Sequence, residues 1–164
     1  MSTRITQDPY MELETQICFA LYSTTHALTR AYRSILEPLD LTYLQYIVMM
    51  VLWEQDGQTV KEIGQRLHLD SGTLTPLLKR LEASKLLRRQ RASSDERQVN
   101  INLTDEGKAL YERARSVPTQ VLRATGQTVE QLMTLKDDLV ALRNNLEGVD
   151  AEDAGPESVQ AARA

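Results

Sequence analysis

Residues 70–110 read DSGTLTPLLKRLEASKLLRRQRASSDERQVNINLTDEGKAL, and the apolar period changes within them. Leu74, Leu77, Leu78 and Leu81 recur at helical spacing behind Asp70, a residue type suited to capping a helix N-terminus. From Leu86 the pattern alternates: LLRRQR, a polar ASSDER, then QVNINL with Val99, Ile101 and Leu103 on one face and Asn100 and Asn102 on the other. The stretch therefore predicts an amphipathic helix followed by a two-stranded hairpin with a charged tip. Thr104 caps the next helix, with Asp105 and Glu106 in its first turn, where carboxylates meet the positive end of the helix dipole. Pro76 is a local conflict, because proline is comfortable only in a first helical turn. Either the helix starts later than Asp70 implies or its first turn is bent.

Upstream, Thr42 with Gln45 and Thr59 with Glu62 have the spacing of capping boxes, as does Thr128 with Gln131 further on. The helix after Thr42 carries YLQYIVMMVLW, apolar almost all round, and should be the most buried element. The one after Thr59 is short and ends near His68. Helix, helix and hairpin in this order form a winged helix-turn-helix, whose second helix fits the major groove of DNA. The fold class expected is mainly α with a small β-hairpin wing. Asp8 and Pro9 predict the start of a long first helix, with Leu13, Ile17, Leu21, Leu28 and Ile35 at roughly helical spacing, ending before Pro38. Two helices, about 105–124 and 129–146, close the folded region, and the acidic tail GVDAEDAGPESVQAARA is expected to be disordered. The organisation expected is a helix for dimerisation and sensing (10–40), a DNA-binding domain (41–104), C-terminal dimerisation helices (105–147) and a tail (148–164).

The net charge of −4 argues against nucleic acid only if charge is spread evenly. It is not. Lys79, Arg80, Lys85, Arg88, Arg89, Arg91 and Arg97 stand against Glu82, Asp95 and Glu96, so 79–97 is +4 and the remainder is −8. Such a cluster on an acidic chain is the footprint of a phosphate-binding surface. The candidate DNA-contacting residues are Ser71, Thr73, Thr75, Pro76, Lys79 and Arg80 on the helix, with Arg89, Asp95 and Arg97 in the hairpin. Arg97 at the tip could enter a minor groove, where arginine reads width and potential.

No apolar run approaches the ~18–20 residues of a membrane span, and MSTRITQDPY lacks the layout of a signal peptide, so a cytoplasmic protein without a membrane partner is expected. His26 and His68 are isolated, and neither a metal nor a cofactor signature occurs. No enzyme is expected. Cys18 is the chain's one cysteine, so it has no intramolecular disulfide partner. A free cysteine is more often a small buried hydrophobe than a reactive thiol. Here Tyr22 follows one helical turn later, and a phenol donating to sulfur favours thiolate over thiol.

The run quoted at the outset, with its DER and LT..G residues, resembles the recognition helix and wing of the MarR family of dimeric bacterial repressors. In that resemblance Asp95 supports the wing Arg97, and the first and last two helices form a homodimer that reads a pseudo-palindromic double-stranded operator. Leu122, Val129, Leu132, Leu135, Leu139, Leu142 and Leu146 offer more apolar surface than one small domain covers. Further, LETQICFALYSTTHALTRAYRSILEPLDLTYLQYIVMMVLWE resembles the organic-hydroperoxide-sensing, OhrR-like branch, departing at Leu44 and His68, where proline and tyrosine are common. That implies Cys18 as sensor, hydrogen-bonded by Tyr22 and by Tyr32 and Tyr43 of the other subunit, and release from DNA when an organic hydroperoxide oxidises it. With no second cysteine in 105–146, oxidised Cys18 must meet a small-molecule thiol in a mixed disulfide or oxidise further. The alternative is a MarR-type repressor released by a small aromatic or phenolic ligand, with Cys18 structural. A thiol peroxidase finds no support, lacking a resolving cysteine or a histidine or arginine near Cys18 in sequence.

Overall fold

A computed structural model describes residues 8–91 and 98–148. The hairpin tip with Asp95 and Arg97, and the acidic tail, lie outside the described residues. The apolar helix α2 (Tyr43–Glu54) starts where its capping box predicts: the Thr42 N–H donates to Gln45 Oε1 at 2.8 Å and the Gln45 N–H to Thr42 Oγ1 at 3.4 Å. Its Tyr46, Val48, Met49, Val51 and Leu52 are buried. The second box sets α3 (Val60–Leu67), and Asp70 caps α4 (Ser71–Ala83) by accepting the Thr73 N–H at 2.9 Å. Leu74, Leu77, Leu78 and Leu81 all face inward, each worth about 1.5–3 kcal/mol relative to exposure. That burial pins α4 by one face and leaves the other free.

Strands β2 (Leu87–Arg91) and β3 (Val99–Leu103) pair antiparallel, with Arg89 opposite Ile101. A third strand, β1 (Gln58–Thr59), joins the other side of β3, giving the order β1-β3-β2. Two residues are too few for alternation to show in the sequence. The buried Gln58 side chain secures β1, donating to the carbonyls of Val51 at 3.2 Å and Gln55 at 2.8 Å.

The first helix differs from its expectation. Asp8 caps only a 3-10 turn, Pro9–Met11; a second turn, Leu13–Thr15, follows; and α1 runs Ile17–Leu36. Glu12 and Gln16 are extended, and the Thr15 hydroxyl donates to the carbonyls of Pro9 and Glu12, both at 2.8 Å. Local side-chain bonds of this kind compete with the helical ladder. Neither alternative raised by Pro76 is needed for the start of α4. The helix begins at Ser71 and continues through Pro76, and the Gly72 carbonyl, on an exposed residue, goes without its proline-denied donor. The helix expected over 105–124 is broken at Arg115 and Ser116 into α5 (Asp105–Ala114) and α6 (Val117–Thr125). Pro118 has no N–H to offer the Ala114 carbonyl. Last comes α7 (Val129–Gly148), opened by Thr128 and Gln131 in reciprocal bonds of 2.9 and 3.2 Å.

The chain forms two compact units, one through Val121 and one from Leu122. The core of the first takes Leu36 and Leu39 from the N-terminal segment and Leu110, Ala114 and Val117 from beyond the wing. In the second, α7 buries none of its own residues, and Val129, Met133, Leu135, Leu139, Val140 and Leu146 are exposed. Among the described residues no single helix is long and apolar enough to cross a membrane.

Candidate nucleic-acid interface and thiol site

The turn between α3 and α4 is tight for a chemical reason. His68 takes a left-handed conformation (φ 52°), the Leu69 N–H returns to the Gly64 carbonyl at 2.9 Å, and a Cβ on Gly64 would lie 2.8 Å from the Leu69 carbonyl oxygen. Only glycine permits that approach. The free face of α4 then presents Ser71, Thr73, Pro76, Lys79 and Arg80, all exposed, with Thr75 half-buried beside them. A cleft of about 1110 Å³ opens between α3, α4 and β3, and its wall adds Lys61, Gln65 and Gln98. These three escaped the sequence reading; for Lys61 and Gln65 the available signal was their shared polar face, one turn apart on α3.

Asp70 holds the start of α4 electrostatically as well as geometrically. The Thr73 N–H, and then the Thr73 hydroxyl at 2.9 Å, hold its carboxyl below the usual carboxylate range. The Thr73 proton is thereby spent on the cap, leaving the hydroxyl oxygen and the methyl group to face outward.

Arg89 has a different role from that of a free phosphate ligand. Its Nε lies 2.7 Å from Glu82 Oε2 and its backbone N–H donates to Glu82 Oε1 at 2.9 Å, tying β2 to the last turn of α4. The Arg89 backbone and side-chain bonds hold the Glu82 carboxyl below its ordinary value. The exposed cations on this side are Lys79, Arg80, Lys85 and Arg88. At the base of the wing, Thr104 Oγ1 donates to the Lys85 carbonyl at 2.6 Å and accepts the Gly107 N–H at 3.0 Å. The Gly107 carbonyl in turn accepts Trp53 Nε1–H at 2.9 Å. The threonine and glycine of LT..G thus join wing, α5 and α2.

The thiol stands apart from that surface. Cys18 is exposed at the second position of α1, and Tyr22, 63% exposed, follows one turn later on the same face. The Tyr22 ring makes an edge contact with His26 at 4.4 Å. Tyr32 and Tyr43 are brought together, with ring centroids 4.7 Å apart and Tyr46 6.0 Å from Tyr32. Burial, and then the neighbouring Tyr43 and Tyr46, push Tyr32 up to about 12; burial and Tyr43 raise Tyr46 as well. Cys18 and Tyr32 are fourteen residues apart on one continuous helix, about 21 Å at 1.5 Å per residue. The chain therefore pairs Tyr32 with Tyr43 and keeps that pair far from its own thiol.

The model of the family described as transcriptional regulator SarA/Rot matches residues 30–114, more than half of the chain. The chain belongs to this family of MarR-like winged-helix regulators. The HTH-type transcriptional regulator TtmR of Methylorubrum extorquens (strain PA1) is 52% identical over 140 residues, spanning 85% of this chain and 72% of the relative. The organic hydroperoxide resistance transcriptional regulator of Bacillus subtilis (strain 168) is 44% identical over 137 residues, spanning 84% and 93%. Among solved structures, reduced AbfR bound to DNA superposes with a TM-score of 0.70 at 34% identity, spanning 85% of this chain and 99% of that one. The protein is a DNA-binding transcriptional regulator rather than an enzyme. Its wing and recognition helix are those described above.

Proposed function

We propose that this regulator is a homodimeric repressor that holds a pseudo-palindromic operator with the free faces of two α4 helices and releases it when an organic hydroperoxide oxidises Cys18. One observation carries the reading: an exposed thiol at one end of α1, and, about 21 Å along it, a packed phenol pair that its own chain cannot use. A second copy supplies what is missing, so that Cys18 of each subunit, with its own Tyr22, meets Tyr32 and Tyr43 of the other. The exposed Ile17 and Leu28 on α1 and the apolar run on α7 are the surfaces such a dimer would bury. The hydroperoxide-resistance regulator at 44% identity supports the choice of oxidant.

In the reaction the Cys18 thiolate attacks the O–O bond, giving a sulfenic acid and the alcohol. Having no second cysteine, the chain then forms a mixed disulfide with a small-molecule thiol or oxidises to sulfinic or sulfonic acid. Either product changes charge and volume between subunits, and the dimer form that cannot span the operator becomes favoured. A gel-shift titration with organic hydroperoxide tests this: reduced protein should release DNA, and Cys18→Ser should bind and stay bound. Undiminished release of the serine variant would overturn the reading. Mixed dimers test the shared site. Cys18→Ser chains combined with chains carrying Tyr32→Phe and Tyr43→Phe should regain one intact site per heterodimer, and with it a faster response than either parent; no recovery refutes the exchange of phenols between subunits.

A further inference from the structure

Five of the chain's eight aromatic residues stand in one unbroken series of ring contacts. Tyr43 meets Tyr32 at 4.7 Å, Tyr32 meets Tyr46 at 6.0 Å, Tyr46 meets Trp53 at 6.2 Å and Trp53 meets Tyr111 at 5.6 Å. All fall in the range of direct ring contact, about 4.5–7 Å. Tyr43, Tyr46 and Trp53 share a face of α2 at intervals of three and seven residues. Exposure is graded along the series: Tyr46 is buried, Trp53 half-buried, and Tyr111 is 47% exposed at the far end. The Trp53 indole is fixed through its Nε1–H on the Gly107 carbonyl. Leucine supplies most of the surrounding core, so the aromatic residues are concentrated in one line rather than dispersed through it. Phenols and indoles are also among the side chains that give up one electron most readily.

We propose that this series is a hole-transfer path that carries one-electron oxidising equivalents from the Tyr32–Tyr43 pair to Tyr111 at the surface. It rests on the function proposed above only for the source of the oxidant, an alkoxyl radical formed when a reduced metal ion cleaves an organic hydroperoxide. The radical RO• takes a hydrogen atom from the Tyr32 phenol, so that the phenolic O–H bond breaks, the O–H bond of ROH forms, and a tyrosyl radical remains. Because Tyr32 keeps its proton well above the ordinary phenol range, a hydrogen atom rather than a bare electron leaves it. An electron then passes from Trp53 by way of Tyr46 to Tyr32, which takes up a proton, leaving an indole radical cation whose N–H stays on the Gly107 carbonyl. Tyr111 reduces the indole and loses its phenolic proton to water. The net change is RO• plus Tyr111 phenol to ROH plus Tyr111 phenoxyl, and a small-molecule thiol restores Tyr111 by donating hydrogen and becoming a thiyl radical. Radical damage is thereby drained from the tyrosines assigned to the thiol, and the two-electron signal at Cys18 stays separate.

The test uses full-length protein carrying Cys18→Ser, so that the path is read without the thiol. Azide radicals from pulse radiolysis oxidise the single tryptophan, and the expected result is decay of the indolyl absorption with matching growth of tyrosyl absorption, at a first-order rate independent of protein concentration. Tyr111→Phe, which keeps the ring, should slow that conversion several-fold. In a second arm, tert-butyl hydroperoxide with ferrous iron should place oxidation mostly on Tyr111, and Trp53→Phe should move it several-fold toward Tyr32 and Tyr43 in peptide mass spectra. A conversion rate proportional to protein concentration, or an unchanged conversion in Tyr111→Phe, overturns the path. Transfer in the serine variant supports it even if hydroperoxide fails to release DNA from the unaltered protein, a failure that would count against the Cys18 reading alone.

Discussion

Replacing Gly107 by alanine should break the joint on which the wing is mounted. An added Cβ would lie 2.0 Å from the Leu86 carbonyl oxygen and 3.3 Å from Leu103 Cδ2, whereas ordinary contact begins at 3.4 Å. The helix must therefore retreat from Leu86 by about 1.4 Å, and a close-packed interior transmits such a shift instead of absorbing it. Forcing a carbon into a packed site costs about 1–3 kcal/mol. Moving Gly107 also strains the Trp53 bond to its carbonyl, worth about 0.5–1.5 kcal/mol, and the Thr104 cap, worth about 1 kcal/mol. Against this, alanine favours helix over glycine by about 1 kcal/mol. The steric and hydrogen-bond losses win, by roughly 2–4 kcal/mol net of that propensity gain. Urea unfolding followed by Trp53 fluorescence reads the change at the joint itself, at one fixed protein concentration because a dimer's stability depends on it. With a slope of about 1–3 kcal/mol per molar urea, the midpoint should fall by roughly 1–2 M. A midpoint unchanged or raised, as helix propensity alone would give, refutes the close-approach argument.

Two other measurements bear on the interface and the tyrosine pair. Lys79→Ala should weaken operator binding and flatten the plot of log affinity against log salt by about 0.9, the amount expected for one lost phosphate contact; an unchanged slope removes Lys79 from the phosphate-binding set. Tyr32, raised from 10.0 to about 12, binds its proton more tightly folded than unfolded, so its contribution to stability is complete below pH 10 and lost as pH rises from there to about 12. A phenolate absorbance titration of the native protein should lose its step near 12 in Tyr32→Phe, and loss of a step near 10 instead would refute the burial argument.

What the sequence made legible follows from how local each cause is. The boxes at Thr42, Thr59 and Thr128 were readable because donor and acceptor lie three residues apart, so spacing and geometry are nearly the same statement. The change of period at Leu86 was readable because a strand and a helix bury different intervals. Asp8 misled because its cap is satisfied as well by a 3-10 turn as by a helix, and the Thr15 hydroxyl settles the competition. Strand β1 exists only through its pairing with β3, more than forty residues away, and no local pattern announces it. In the candidate site, the free face of α4 followed from amphipathicity, whereas the commitment of Arg89 to Glu82 crosses a turn and has no periodic signature. Residue spacing alone offered Cys18 only Tyr22. Tyr32 and Tyr43 came from family resemblance, because a partner on a second chain leaves no spacing to read.

The exposed apolar surface and the divided thiol site express one incompleteness. On its own the chain leaves Val129, Leu135, Leu139 and Leu146 against water, and it leaves Cys18 without the two phenols packed at the other end of α1. The first deficit is energetic: burying one large aliphatic side chain is worth about 1.5–3 kcal/mol, so association follows from the sequence of α7 whatever the chemistry at Cys18. The second is chemical, because thiolate is the reactive form and hydrogen bonds to it are what favour it at neutral pH. On the proposed reading both are met by the same event. A free chain would carry a thiol without its full set of donors and would be slow to oxidise, while the dimer that grips the operator is the species with the sensor armed. Oxidation is then concentrated on the population whose release matters.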